Sequence, residues 1–217
     1  MNFEHYILCR YNTNLFSDNV YKVKNPTKWM IDRKSLFKWL LISLEAQTSD
    51  NFTFIVYLDS NTPEPLVNDV ESMLINNLSV KWEISFKHPI EDMRRRKKKS
   101  PWIITSRIDN DDYYSPDFVA TIQDNFSNTT EVIDVYGIQY DKEGDSFYTS
   151  GRSKPNSPFV SLIEPSSVCN TVFIKTHTVM NQLYPARFVP DYYEPLYTQV
   201  IHGDNVSNKI IGDKIDK

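Results

Sequence analysis

Two hydrophobic periods take turns along the first half of the chain. The apolar run Tyr6-Ile7-Leu8-Cys9 ends at Arg10-Tyr11-Asn12 and predicts a strand over residues 4–11. Phe37, Leu40, Leu41 and Leu44 then recur at the spacing of one helix face, which predicts a helix over 33–47 with Asp32 as its N-cap. Phe52 to Leu58 is nearly all apolar, as a strand covered on both faces should be, and it ends at Asp59-Ser60-Asn61. Thr62-Pro63-Glu64 combines a cap, an early proline and an acid near the positive helix end, so a second helix begins there, with Leu66, Val70, Met73 and Leu74 on its inner face. Val80, Trp82, Ile84 and Phe86 alternate with Lys81, Glu83 and Ser85, the pattern of a half-exposed strand. A basic helix or loop over 91–99 leads to a strand over 102–108, and Ser115-Pro116-Asp117 opens a helix over 116–126 with Phe118, Ile122 and Phe126 inward.

Strands alternating with helices argue for an α/β fold: a mostly parallel central sheet with helices on both faces. The second half changes character. Val132 to Tyr140 and Phe147 to Thr149 flank Asp141-Lys142-Glu143-Gly144-Asp145 and predict a hairpin. A Pro/Ser-rich loop over 153–167 follows, then strands over 171–175 and 196–202, and a polar tail after Gly203 that is expected to be loose.

Composition narrows this picture. With 217 residues and 40% hydrophobic content, the chain can bury the core of one domain, 1–217. Residues 1–127 make its first half; 128–217 make the second half and the C-terminal tail. A net charge of −4 does not point to nucleic acid as a partner. Cys9 and Cys169 are too few for a disulfide framework and are expected as buried, reduced thiols. No apolar run approaches the ~18 residues of a membrane span, and Met-Asn-Phe-Glu-His carries no secretory pattern, so the expected location is the cytoplasm. Five glycines form neither G-x-x-x-x-G-K-[ST] nor G-x-G-x-x-G, so phosphates, if bound, must be neutralised by a metal ion and side chains.

The chemistry concentrates at strand ends. Trp102-Ile103-Ile104 leads through Arg107 into Asp109-Asn110-Asp111-Asp112. Ligands in open α/β sheets bind outside the carboxyl ends of strands, and an Asp-x-Asp there can share one hard divalent cation. The plainer reading is an Asx-turn or cap cluster, but Ser115 supplies a better cap and leaves the acids in surplus. An EF-hand beginning at Asp109 is excluded, because Tyr114 and Ala120 stand where Gly and Glu are required. His202-Gly203-Asp204-Asn205 ends another strand; it is a polar turn by itself and a candidate imidazole ligand beside the acids. Arg10 and Asp59 close strands on the same sheet edge, either as loop polarity or as ligand contacts, and Arg107 pairs with a carboxylate or reaches a phosphate. The six bases Arg94 to Lys99 are a solvated face, or a patch for an anionic membrane surface or acidic acceptor. Asp191 and Glu194, just before the His202 strand, are either solvated loop acids or a general base in a loop over the cleft.

Five segments resemble the rhamnosyltransferase family, a group similar to the GT-A glycosyltransferases. They are Ile7-Leu8-Cys9-Arg10-Tyr11-Asn12, Arg33 through Glu64, Ser106-Arg107-Ile108-Asp109-Asn110-Asp111-Asp112, Ser161-Leu162-Ile163-Glu164-Pro165, and Val200-Ile201-His202-Gly203-Asp204-Asn205. The resemblance implies a GT-A-like fold and a nucleotide-sugar donor, with a glycan or lipid-linked hydroxyl as acceptor. It makes 1–127 the nucleotide-binding half and 128–217 the acceptor side. It implies that Asp109 contacts the nucleotide sugar; Arg10, Asp59 and Arg107, by their place on the same edge, are candidates for the same contact. Asp109, Asp111 and His202 would serve a Mn²⁺ or Mg²⁺ ion, with Asp109 nearer the nucleotide and Asp111 on the cation. Asp191 or Glu194 would be the catalytic base of an inverting transfer, with rhamnose as the sugar the family label suggests. Two other classes stay open on the residues alone: a metal-dependent phosphohydrolase or nucleotidyltransferase using the same acids, and a non-catalytic carbohydrate-binding module.

Overall fold

The structure is a computed structural model, and it describes residues 2–19, 22–150, 157–189, 194–203 and 209–215. Its centre is a seven-stranded sheet in the order β10-β6-β9-β4-β1-β2-β3. Strands β1 (Phe3–Arg10), β2 (Thr53–Tyr57), β3 (Lys81–Ser85) and β4 (Trp102–Asp109) run parallel to one another. Strand β9 (Ser161–Pro165) inserts antiparallel between β4 and β6 (Glu131–Val135), and β10 (Ala186–Val189) pairs parallel to β6 at the edge.

The period-2 geometry of the strands sorts their side chains to two cores. Ile7 and Cys9 of β1, Phe54 and Val56 of β2, and Ile104 and Ile108 of β4 join one cluster with helices α1 (Pro26–Glu45), α2 (Glu64–Asn77) and α4 (Phe118–Asp124). Tyr6, Leu8, Ile55, Tyr57 and Ile103 face the other side, where Met93 of α3 (Pro89–Arg95) and Met180 of α5 (His177–Leu183) cover them. This double burial is why β1 and β2 read as continuous apolar runs rather than alternating ones.

Helix α1 begins earlier than the pattern over 33–47 predicts. Asn25 caps it by accepting from the Lys28 backbone N–H at 3.0 Å, with Pro26 in the first turn, and Asp32 lies inside the helix, paired with Lys28. The extra turns carry Trp29 and Met30 toward the sheet. At α2, Thr62 turns inward instead of capping: its hydroxyl donates to the Asp59 carbonyl at 2.6 Å and accepts from Asn12 at 3.0 Å. At α4, the Ser115 hydroxyl donates to the Pro195 carbonyl, so Asp117 occupies the cap position.

A second sheet, ordered β5-β11-β7-β8, stands beside the strand-end edge. It comprises β5 (Tyr113–Tyr114), β7 (Ile138–Asp141), β8 (Ser146–Thr149) and β11 (Tyr197–Ile201). The hairpin over 141–145 is present as β7–β8, but the run 132–140 is not one strand. It breaks at Tyr136-Gly137 and passes from the large sheet to the small one. Gly137 permits the break because a Cβ there would lie 2.4 Å from the Tyr197 ring.

Three expectations for the second half fail. Residues 161–165, read as loop, form β9, because the apolar core of the strand is masked by flanking Pro and Ser. Residues 171–175, read as strand, are turns, and Cys169 and Thr171 take left-handed φ values of 45° and 63°. Glu164 accounts for that path, since its buried carboxylate accepts from the backbone N–H groups of Asn170 and Thr171 at 2.9 and 2.7 Å. The described part of the tail is not loose: the Ile215 N–H donates to the Phe147 carbonyl at 2.8 Å, and Lys214 bridges Tyr148. Cys9 and Cys169 are free, buried thiols. Among the described residues no helix is long and apolar enough to cross a membrane.

Candidate active site

The parallel strands all end on one edge, and the predicted polar residues collect there. Arg10 and Asp109 are register partners at the ends of β1 and β4. Asp59 follows β2, and His202 follows β11. Asn110 ties the edge together by donating to the Tyr11 carbonyl at 2.8 Å.

The three carboxylates after β4 have different environments. Asp111 meets His202, whose Nε2 is 3.0 Å from its Oδ2, and it pairs with the Arg33 guanidinium. Against the cost of burial, the bond to His202 and the charge of Arg33 hold its carboxyl below the ordinary carboxylate range. Asp112 is fully enclosed. Its Oδ1 accepts from the Val200 N–H at 2.7 Å, which ties the acidic loop to β11, while Oδ2 has no partner. Burial, then repulsion from Asp111 and Asp109, pushes its carboxyl well above the ordinary range. Asp109 is half-buried, the most accessible of the three, with Oδ1 3.5 Å from the Arg107 guanidinium. Among the described residues no three His, Cys, Asp or Glu side chains gather around one point; of Asp109, Asp111 and His202, the last two meet and Asp109 turns to Arg107.

Asp59 has a structural task. Its Oδ2 accepts from the backbone N–H groups of Phe16 and Ser17 and from the Ser17 hydroxyl, and its Oδ1 accepts from Asn61. Against the cost of burial, these donors hold the carboxyl below its usual range. The loop after β1 is thereby pinned against the β2 end, and Asp59, Arg10 and Phe173 line one cleft.

Glu194 is exposed beside the start of β11, and Asp191 lies outside the described residues. The bases of 94–99 are largely engaged by their own surroundings. Arg94 donates to Asn170, Arg95 pairs with Glu91, and Arg96 pairs with Glu83 and Asp92.

Two residues at the edge escape the sequence reading. Arg33 is buried on α1, with its guanidinium 4.9 Å from the Trp29 ring. Its signal was present: position 33 falls on the inner stripe between Met30 and Phe37, where a charged residue needs a buried partner. Phe173 gave no signal, because its place depends on the turns after β9. It touches two guanidinium groups, with Arg10 and Arg107 at 4.6 and 5.3 Å from the ring centre.

The fold recurs in solved structures. TarS from S. aureus matches with a TM-score of 0.52 at 13% identity, over 93% of this chain and 37% of that one. TarS 1-349 in complex with UDP matches with a TM-score of 0.51 at 14% identity, over 93% of this chain and 61% of that one. The chain therefore spans 37% and 61% of these two structures, less than two thirds of either, and the likeness establishes the GT-A-like fold. No curated protein matches the chain. The profile of the family described as "Putative rhamnosyl transferase" matches residues 18–214, nearly the whole length, and the chain belongs to that family.

Proposed function

We propose that this chain is the catalytic module of a glycosyltransferase that moves a sugar from a nucleoside diphosphate to a hydroxyl acceptor. The observation that carries this reading is the meeting of Asp111 with His202 at the strand-end edge, beside Asp109, in a fold shared with a protein that binds UDP. In this reading residues 1–127 hold the nucleotide and 128–217 face the acceptor. Rhamnose is the sugar the family description suggests.

A divalent ion suits the donor set. Asp111 Oδ2 and His202 Nε2 converge on one nitrogen of Arg33, so one hard oxygen and one imidazole already converge on a cationic group. Such a pair fits Mn²⁺ or Mg²⁺, with remaining positions left to diphosphate oxygens and water. The ion would supply Lewis-acid stabilisation of the charge that develops on the leaving diphosphate. Arg10 and Arg107 place guanidinium charge on the same edge, and Asp109, the most accessible of the three acids, faces the nucleotide. An acid of the segment before β11, Asp191 or Glu194, takes the proton of the acceptor hydroxyl; a single base is what an inverting transfer needs. The acceptor, a glycan or lipid-linked hydroxyl, has room in a cleft of about 570 Å³ that opens beside His202, between Trp29 of α1 and Lys142 of the β7–β8 turn.

Thermal unfolding against a panel of nucleotide sugars, with and without Mn²⁺, tests the donor half of this proposal, since ligands that bind only the folded state raise the melting temperature. A Mn²⁺-dependent rise with at least one nucleotide sugar is expected. Release of nucleoside diphosphate should then depend on an added acceptor. Acceptor-independent phosphate release would overturn the proposal in favour of a phosphohydrolase.

A further inference from the structure

The arginines around Phe173 form an arrangement whose use the metal pair does not explain. Arg10 ends β1, Arg107 lies two residues before the end of β4, and both guanidinium groups pack against one aromatic ring. Bringing two like charges to one ring in a largely buried place costs energy. The ring's electron-rich faces recover part of it. Among the described residues one nearby carboxylate is arranged to recover more, and it is a loose partner: Asp109 sits 3.5 Å from Arg107, beyond ordinary hydrogen-bond length. Asp59, the other acid of this edge, already accepts four hydrogen bonds from the loop after β1 and from Asn61.

The donor inventory points the same way. The Nε–H groups of Arg10 and of Arg107 are both buried without a hydrogen-bond partner. Arg107 is 6% exposed, so its missing bond is not supplied by bulk water. A buried donor left unpaired costs about 1–3 kcal/mol, and native proteins carry few of them. Burial weakens the hold of Arg107 on its proton; Asp109 opposes this and the charge of Arg10 adds to it. The cluster is short of negative charge and of acceptors together.

The cleft beside it defines what can enter. Arg10 and Phe173 line it, together with Ser17, Lys87, His88 and Asp59, whose carboxylate is already taken up by its four donors. It offers about 180 Å³, below the roughly 300–1,000 Å³ that encloses a whole drug-sized ligand. It can take one compact anionic part of a larger molecule.

We propose that Arg10, held against Phe173 and backed by the buried charge of Arg107, forms a phosphate-binding clamp that grips a diphosphate through side chains alone, without a metal ion. Arg10 is the contacting residue. Phe173 and Arg107 are positioning residues: the ring fixes the plane of the Arg10 guanidinium, and the second charge raises the local potential. A planar guanidinium presents parallel N–H groups that match phosphate oxygens two at a time. This is the device expected of a chain that has no glycine-rich phosphate loop. That the anion is the diphosphate of a sugar donor rests on the transferase reading; that the site binds a phosphate oxyanion does not.

The test is calorimetric titration of inorganic pyrophosphate, and separately of UDP, into the whole chain in excess EDTA. The wild type is expected to bind pyrophosphate under these conditions, with affinity that falls as salt rises. Arg10→Gln should weaken it at least 10-fold at an unchanged melting temperature. Phe173→Leu, which keeps apolar bulk but releases both guanidiniums, should weaken it several-fold and answers the same question if Arg10→Gln fails to fold. Arg95→Gln, on a base paired with Glu91, should leave the affinity unchanged. Binding that Arg10→Gln and Phe173→Leu both leave intact, or no pyrophosphate binding by the wild type in EDTA, overturns the clamp. Nucleotide binding that appears only with Mn²⁺ would then leave the transferase reading standing without it. Arg10-dependent pyrophosphate binding, with no nucleotide sugar bound under any condition, would keep the clamp and remove the sugar donor.

Discussion

Arg33 Nη1 lies 2.7 Å from His202 Nε2, and both groups converge on the same oxygen of Asp111. Nε2 therefore lies within hydrogen-bond reach of a guanidinium and a carboxylate at once, and it is the nitrogen that the proposed metal ion would need. Arg33 thus stands where the proposed metal ion would bind, held over Trp29 by the same helix that the first strand feeds.

Removing the guanidinium should expose this competition. Arg33→Met leaves Asp111 buried without its cationic partner, a change that costs about 3–5 kcal/mol for a buried pair. In EDTA the variant should melt well below the wild type, and Mn²⁺ should restore much of the difference while shifting the wild type less. Equal responses of the two proteins to Mn²⁺ would contradict the shared position.

Asp111→Ala strips Arg33 of its counter-charge and should lose a similar ~3–5 kcal/mol. Mn²⁺-dependent binding of a nucleoside diphosphate should vanish with it. The double variant Arg33→Met/Asp111→Leu replaces the ion pair with apolar groups, and such replacements are often neutral or stabilising. It should regain most of the lost stability in urea titrations without regaining metal-dependent binding. That outcome separates the structural use of Asp111 from its chemical one.

His5 predicts an acid limit to stability. Its ring is enclosed between Ser106, 2.8 Å from Nε2, and Gln123, 3.3 Å from Nδ1, and burial pushes its pKa down to about 3. The unfolded chain takes up a proton near the ordinary value of about 6.5, whereas the folded chain does not until far lower pH. Its stability contribution is therefore complete above pH ~6.5 and is lost as pH falls toward the folded value, at up to about 1.4 kcal/mol per pH unit. Unfolding free energies from urea titrations at pH 7 and pH 5 should differ more for the wild type than for His5→Gln, by on the order of 2 kcal/mol.

Gly137→Ala should destabilise the junction between the two sheets. The added methyl group would lie 2.4 Å from the Tyr197 ring, which is itself stacked on Phe159 at 4.0 Å and has no free side to move toward. Overpacking of this kind costs about 1–3 kcal/mol, and a matching drop in the thermal midpoint would be the readout. A smaller side chain at 197, as in Gly137→Ala/Tyr197→Leu, should relieve part of it.

The elements that were legible are those whose signal is local. The apolar runs of β1 and β2 and the stripe Phe37, Leu40, Leu41, Leu44 report burial by sheet and helix, and all three are where the pattern puts them. The acidic turn after β4 was legible for the same reason: a strand end followed by three aspartates needs no knowledge of the rest of the chain. Strand β9 was not, because an antiparallel strand inserted between β4 and β6 is defined by partners on both sides, and its own five residues are flanked by loop-forming Pro and Ser. The start of α1 was missed although Asn25-Pro26 is a proper helix opening, because the apolar stripe becomes regular only from Phe37 onward.

The sequence by itself determined the alternating first half, the polar strand ends and the supply of acids and bases there, since propensity, periodicity and capping act over a few residues. Only the tertiary structure decided which of them meet. Arg33 and His202 are 169 positions apart, and Phe173 reaches Arg10 only through turns that Glu164 pins in place. Such encounters depend on sheet order and crossover direction, which are set by the packing of the whole chain and leave no trace in the spacing of neighbouring residues.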